Sequence, residues 1–515
     1  MYASCNVRLR LLDFGRWLPY NGKRDRYMYS FLNKTHFELR HRRKVLGFVV
    51  LLCSAAVLFV VELFYGLNVR FLLTFLLVLF GIWPLALATL VKGSDIFSPN
   101  VLLPFTFMLY AIGPLDVSSS FSSNVINFYL LLQLVGLLAM TLGLHSFSGA
   151  IKQYPRPLRA DKEHLSAFFL VMVLMLILSL LSVGSYLVKF GGIRGYLEIG
   201  YGADYFQALS EGGLIGSGFQ WLMLFGGLCF FYGLMRNAKV YKTLGTITLI
   251  LTSAIVLLTG RRRELIYPLI FCVVMYHYGR KRLPSFLVAI CIFAGIVLSQ
   301  YYALARSFLD EGLLYALEKV WPAVVKDPYI LLPWASNEFR MPAASLLEVL
   351  EYGSPSLWGR SYITAVGAPI PFLARLFAKV GFDLNSFRLQ TYYSGLLPEG
   401  AGLGFSPVTE AYMNFGFLGV AFVMYMYGLV ISRIYRRLLK KPNLSNLLLY
   451  AGSIPVFMLE GLRGSSGTFM YTWFRVCLMP WFVFIAVRLF SSYKRTAFIT
   501  ATSSKMERIN GGAYK

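Results

Sequence analysis

Charge is scarce in this chain of 515 residues. Asp, Glu, Lys and Arg together make up 14%, where a soluble globular protein carries about 25%. Acidic residues are the rarer kind, 24 against 49 Lys plus Arg, leaving a formal charge of +25. The six cysteines (Cys5, Cys53, Cys229, Cys272, Cys291 and Cys477) have neither metal-ligand nor disulfide spacing, so a disulfide scaffold is excluded and inert packing roles are expected. There is no Walker loop, no glycine-rich dinucleotide fingerprint and no Asp-x-Asp on the outward segments defined below. ATP hydrolysis and metal-assisted transfer find no support, and neither a cofactor nor a metal is expected.

Apolar residues are abundant: 57% of the chain is hydrophobic, 16% is aromatic, and the mean hydropathy is +0.61. They arrive in runs long enough to cross a bilayer, which excludes a soluble enzyme and a disordered chain. About twelve spans are predicted, at 45–66, 70–91, 98–115, 125–147, 165–189, 217–235, 243–259, 264–279, 284–304, 406–432, 445–461 and 468–489. All should be helices, because lipid leaves no partner for the backbone groups of an open strand. The fold class is therefore all-α and polytopic. A basic tail (1–44) precedes nine spans (45–304), a large loop (305–405), three more spans (406–489) and a short tail (490–515).

In a soluble protein the excess of positive charge would suggest nucleic acid; here it sorts by membrane side, and membrane lipids replace nucleic acid as the expected partner. With the amino terminus in the cytoplasm, the inward segments hold 33 of the 49 basic residues, and the short outward turns 66–69 and 116–124 hold none. That asymmetry places both termini inside. The outward loop 305–405 carries eight basic and nine acidic residues. Within it "FLDEGLLYALEKVW" sets Leu309, Leu313, Leu317 and Trp321 four apart and predicts an amphipathic helix on the outer leaflet. A second short helix is predicted from Pro342 onward.

One hairpin breaks the charge rule. "LTGRRRELIYPLIF" puts Arg261, Arg262 and Arg263 outward, between two spans of about 16 residues, or ~24 Å against a ~30 Å hydrocarbon core. The arginines also open a helix whose positive dipole end favours anions over cations. A bound phosphate or pyrophosphate would relieve all three costs, since the guanidinium fork takes two oxygens at once; snorkelling to ordinary headgroups is the plainer alternative. Glu460 and Arg463 flank "LEGLRGSSG" at the outer end of the eleventh span, three apart and able to pair. Arg475 lies inside the twelfth span, where it should face a polar cavity. Arg360 is a further outward cation.

The histidines (His36, His41, His145, His164 and His277) all fall at the cytoplasmic side. A general base on the outward side must then be a carboxylate. Glu410, in "GFSPVTEAYMNFG" at the mouth of the tenth span, and Glu338, in "WASNEFRMP", are the candidates. Either could instead accept hydrogen bonds from a loop amide or pair with an arginine.

The order of these parts resembles the bacterial O-antigen polymerase family, which polymerises oligosaccharide repeat units. The likeness rests on "TGRRRELIYPLIF", "PSLWGRSYITAVGAPIPFLAR" and "GLGFSPVTEAYMNFGFLGV", and runs from about 160 to 490. The resemblance implies a helical glycosyltransferase fold in the bacterial inner membrane, acting at its periplasmic face. The donor would be a glycan on undecaprenyl pyrophosphate and the acceptor a second lipid-linked unit, with a chain-length regulator protein as a further partner. In that setting Arg261, Arg262, Arg263, Arg360, Arg463 and Arg475 would stabilise the leaving pyrophosphate. Glu410 or Glu338 would take the acceptor proton, and Trp358, Tyr362 and Tyr392 would stack on sugars. The related ligases use an outward-loop histidine, which this sequence lacks. The other readings are a ligase or another lipid-linked glycosyltransferase, and a flippase or transporter; transporters place their charges nearer the midplane.

Overall fold

The computed structural model describes residues 68–90, 94–146, 162–198, 218–258, 262–306, 308, 312–332, 337–367, 369–380 and 404–490. The basic tail, the first expected span (45–66), Arg261 and Tyr392 lie outside the described residues. Regular structure among them is helical throughout. The apolar helices before the long loop are α1 (Val69–Leu90), α2 (Pro99–Ile112), α3 (Ser123–His145), α4 (Lys162–Lys189), α5 (Gly218–Arg236), α6 (Lys239–Leu258), α7 (Arg262–Gly279) and α8 (Ser285–Ala305). The long loop contributes α9 (Leu313–Lys326), α10 (Asn337–Tyr352), α11 (Arg360–Gly367) and α12 (Pro371–Lys379). Then come α13 (Pro407–Lys440), α14 (Leu444–Arg463) and α15 (Ser466–Phe490).

Nine of the described helices are long and apolar enough to cross a membrane; two more, around α2 and α7, are apolar but shorter. Their positions follow the expected second to twelfth spans. The chain is a multi-pass all-α membrane protein. One expectation holds on one side of the arginine hairpin only. α6 has 20 residues, about 30 Å, while the apolar part of α7, Leu265–Gly279, is one of the two shorter apolar helices. Lys239 and Lys242 lie in the first turn of α6, which a count of apolar residues leaves out.

Burial sorts the bundle. The apolar stretch of α14 is 89% buried, against 17% in α6 and α8, so α14 is central while those two show most of their surface to lipid. The closest crossing among the described helices joins α3 and α13. A Cβ at Gly143 would lie 2.1 Å from the Tyr425 carbonyl, and one at Gly428 would lie 2.2 Å from that of Met140. Such backbone contact is how membrane helices gain dispersion energy without a hydrophobic effect between them. Ser432 Oγ adds a 2.7 Å bond to the Leu144 carbonyl across the same seam.

Local signals start the helices. Ser406 caps α13, its hydroxyl accepting from Val408 N–H at 3.2 Å, with Pro407 at the first helical position. Asn443 caps α14 and Ser465 caps α15 in the same way. α13 breaks at Gly416, whose φ of 66° and ψ of −154° are non-helical. The break takes away the amide that would meet the Met413 carbonyl, and Leu357 N–H from the loop meets it instead at 3.0 Å.

The loop helices refine the expectation. α9 is an amphipathic helix that buries Ala316, Val320 and Val324, with Leu317 half-buried beside them, against Tyr301 and Leu304, and exposes Leu314 and Trp321. α10 begins at Asn337, leaving Pro342 inside the helix and Glu338 in its first turn.

At the opposite end of the bundle, a buried carboxylate ties the α1–α2 connection to α7 and α13. Asp95 accepts from Tyr278 Oη at 2.5 Å, Tyr435 Oη at 2.6 Å and Phe97 N–H at 3.1 Å, and His277 Nε2 lies 3.5 Å away. Burial alone would raise its proton affinity, but the hydrogen bond and charge of His277 and the two tyrosine hydroxyls outweigh it. The Asp95 carboxyl is held below its ordinary range.

Candidate active site

Glu338 and Arg463 meet at the loop end of the bundle although they lie 125 residues apart in sequence. Arg463 Nη1 lies 2.5 Å from Glu338 Oε2, and each side chain is 22% exposed. Both sit at helix ends that favour their charge, Glu338 in the first turn of α10 and Arg463 in the last turn of α14. The Arg463 carbonyl, one of the unpaired acceptors at a helix end, receives Phe405 N–H at 2.8 Å. Tyr110, from α2, faces the guanidinium with its hydroxyl.

One turn deeper, Glu460 is buried and accepts from Tyr267 Oη at 2.6 Å. That bond joins α14 to α7, the helix that opens at Arg262 and Arg263. Arg263 precedes Tyr267 by four residues, about 6 Å of helix rise. The start of the arginine hairpin's helix is thus brought to the Glu338–Arg463 pair; its arginine side chains are not among those described.

Glu410 lies in the first turn of α13 and is 1% exposed. One carboxylate oxygen accepts from Ser466 N–H at 2.6 Å and the other from Ser466 Oγ at 2.5 Å. Ser466 is the first residue of α15, so Glu410 satisfies one of that helix's orphan amides from a neighbouring helix. Asn414, one turn on, donates to Ser361 Oγ at 2.8 Å and to the Glu410 carbonyl at 2.7 Å; its side-chain oxygen accepts Gly359 N–H at 2.8 Å. Ser345 and Thr409 add a 3.0 Å contact between α10 and α13. The loop is therefore fastened onto the start of α13 and the α14–α15 turn.

Asn414 and the Met413 carbonyl hold an unusual turn. Arg360 N–H closes it on the Leu357 carbonyl at 3.0 Å, and both central residues have positive φ, Trp358 at 48° and Gly359 at 81°. Glycine or asparagine is usual in the first of these positions; a bulky residue in the left-handed region costs roughly 1–2 kcal/mol. Trp358 is nonetheless 76% exposed, and Arg360 beside it is exposed too.

The remaining expected site residues stand apart. Tyr362 is half-buried, with one ring face stacked on Phe415 (centroids 6.1 Å apart, planes at 9°). Burial pushes its hydroxyl well above the ordinary phenol range, with the Glu410 charge adding to this. Arg475 is buried with its guanidinium carbon 3.7 Å from the centroid of the Tyr471 ring. It sits in a π-helical stretch, Phe474–Leu478. Sequence reasoning missed Tyr267, Ser361, Asn414 and Ser466. Asn414 alone left a signal, four residues after Glu410 on the same helix face. Among the described residues, no three His, Cys, Asp or Glu side chains come together as a metal-binding group.

These features define a polytopic α-helical membrane protein with a carboxylate–arginine site where a long loop closes one end of the bundle. Residues 381–496 match the family model of the O-antigen polysaccharide polymerase Wzy. The chain is Wzy-like over that segment, which contains Glu410, Arg463, Ser466 and Arg475, and the match supports a polysaccharide polymerase role. No curated protein and no solved structure matches the chain.

Proposed function

We propose that the protein extends a surface polysaccharide by transferring a growing glycan from undecaprenyl pyrophosphate to a new lipid-linked repeat unit at the periplasmic face of the inner membrane. The observation that carries this reading is the Glu338–Arg463 pair, partly exposed at the loop end of the bundle and joined through Glu460 and Tyr267 to the arginine-bearing helix. Arg261, Arg262, Arg263, Arg360 and Arg463 are assigned to the pyrophosphate. Arg475, buried against Tyr471, is left to a supporting role.

The reaction needs an acceptor hydroxyl to attack the anomeric carbon of the donor. A new glycosidic bond forms, the bond from that carbon to the pyrophosphate oxygen breaks, and the leaving oxygen takes the electron pair. Arginines already in place stabilise that charge without reorganisation. The proton passes to a carboxylate. Glu338 is the group within reach, at 22% exposure; Glu410, at 1%, has both oxygens engaged by Ser466 and acts as the positioning residue. An arriving pyrophosphate would draw Arg463 from Glu338 and so free the base as the donor binds.

Deletion of the gene in its host, followed by gel analysis of the surface polysaccharide, tests this function. Loss of the ladder with one repeat unit retained is the expected outcome. Loss of every unit would assign the chain to ligation or flipping instead.

A further inference from the structure

The turn Leu357–Arg360 combines features that folding alone does not explain. A tryptophan occupies a left-handed position where asparagine or glycine would be easier, and its indole is 76% exposed. The chain meets both costs and then fixes the result. Asn414 holds Gly359 N–H, the Met413 carbonyl freed by the Gly416 break holds Leu357 N–H, and Arg360 N–H closes the turn. Strain that is over-determined by its surroundings is characteristic of ligand clamps. The same Asn414 touches Ser361 and the Glu410 carbonyl, so the turn is one side chain away from the Glu410–Ser466 pair.

Resting on the polymerase reading, we infer that this turn is a saccharide-docking platform, with Trp358 stacking on a pyranose ring of the lipid-linked repeat unit and Asn414 as its positioning residue. The C–H edges on one face of a pyranose carry partial positive charge and fit the negative face of an indole. Arg360, two residues on and exposed, keeps its assignment to the pyrophosphate beside the docked sugar. A rigid aromatic presented with little rotamer freedom binds at low entropic cost. The platform selects and holds the glycan; it takes no proton and forms no bond.

The test uses full-length protein in nanodiscs with lipid-linked repeat units extracted from the polymerase-deleted host. Trp358→Asn places a residue that favours the left-handed region, so its melting temperature should stay level or rise while KM increases at least about tenfold, with kcat within about threefold. Trp358→Phe should recover most of the affinity. Asn414→Ala, which unties the turn, should also raise KM. Saturation-transfer NMR with the oligosaccharide released from the same lipid reads binding without turnover, so the platform is judged even where the polymerase reading fails. An unchanged KM and unchanged saturation transfer in Trp358→Asn would overturn the inference. So would stronger quenching by brominated lipid in wild type than in Trp358→Phe, which would make Trp358 a membrane anchor.

Discussion

Glu338→Gln and Glu410→Gln should separate the base from the residue that positions the site. Glu338 is paired with Arg463 at 2.5 Å, but both side chains are 22% exposed, so the pair is partly screened. Its loss should cost no more than ~1 kcal/mol of stability. Loss of a general base, by contrast, slows reaction by about 10²–10⁴-fold. Glu338→Gln should therefore fold, melt within a few degrees of wild type and extend chains at least about a hundredfold more slowly. Glu410→Gln should show the reverse emphasis. Glutamine keeps one acceptor for Ser466 but loses the charge, and a hydrogen bond to a buried charged group is worth ~1.5–3 kcal/mol. Its melting temperature should fall clearly, and its residual rate per folded molecule should exceed that of Glu338→Gln. Chain extension by purified variants in nanodiscs, with thermal melts of the same samples, reads both quantities. A wild-type rate in Glu338→Gln would refute the assignment of the base.

Cysteines introduced at Ser356 and Lys441, both exposed, in a cysteine-free background should react oppositely with an impermeant reagent added to intact cells; equal labelling would remove the outward assignment of the loop. Single alanines at Arg261, Arg262 and Arg263 should slow chain extension about ten- to a hundredfold, from ~1.5–3 kcal/mol per lost charged hydrogen bond, and lysine should rescue only in part. Free substitution by lysine would mark the hairpin as a headgroup anchor. Asp95→Asn removes a buried charge from Tyr278, Tyr435 and His277 and should lower stability by ~3 kcal/mol in thermal melts. Because the folded carboxyl binds protons less readily than the unfolded one, its stabilisation is present above the ordinary carboxylate range and is lost as pH falls through the depressed value. The variant's stability should therefore converge with wild type in acid, and a constant difference at every pH would contradict the account.

Span positions were legible because a bilayer imposes length and apolarity on any helix that crosses it; α4 (Lys162–Lys189) and α14 (Leu444–Arg463) fall where the hydropathy pattern puts them. Helix ends were less so, since Lys239 and Lys242 extend α6 beyond its apolar run. In α9 the sequence offers several apolar lines, and the face through Ala316, Val320 and Val324 is the one that packs. Among the site residues, Glu338, Glu410 and Arg463 stood out as outward charges. Their pairing did not, because no local pattern connects Glu338 to Arg463 or Glu410 to Ser466. The left-handed conformation of Trp358 was invisible for a related reason. It is imposed by Asn414 and by the Met413 carbonyl, freed at the Gly416 break and 55 residues away in sequence, both tertiary contacts.

The most direct test of a polymerase site at the loop end of the bundle is chain extension in vitro. Purified full-length protein in nanodiscs, given lipid-linked repeat units from the deleted host and no other enzyme, should produce a ladder of increasing glycan length with release of undecaprenyl pyrophosphate. Arg463→Ala should abolish the ladder while leaving the fold intact. Wild-type protein that leaves every repeat unit single, or an Arg463→Ala variant that makes the full ladder, would contradict the account.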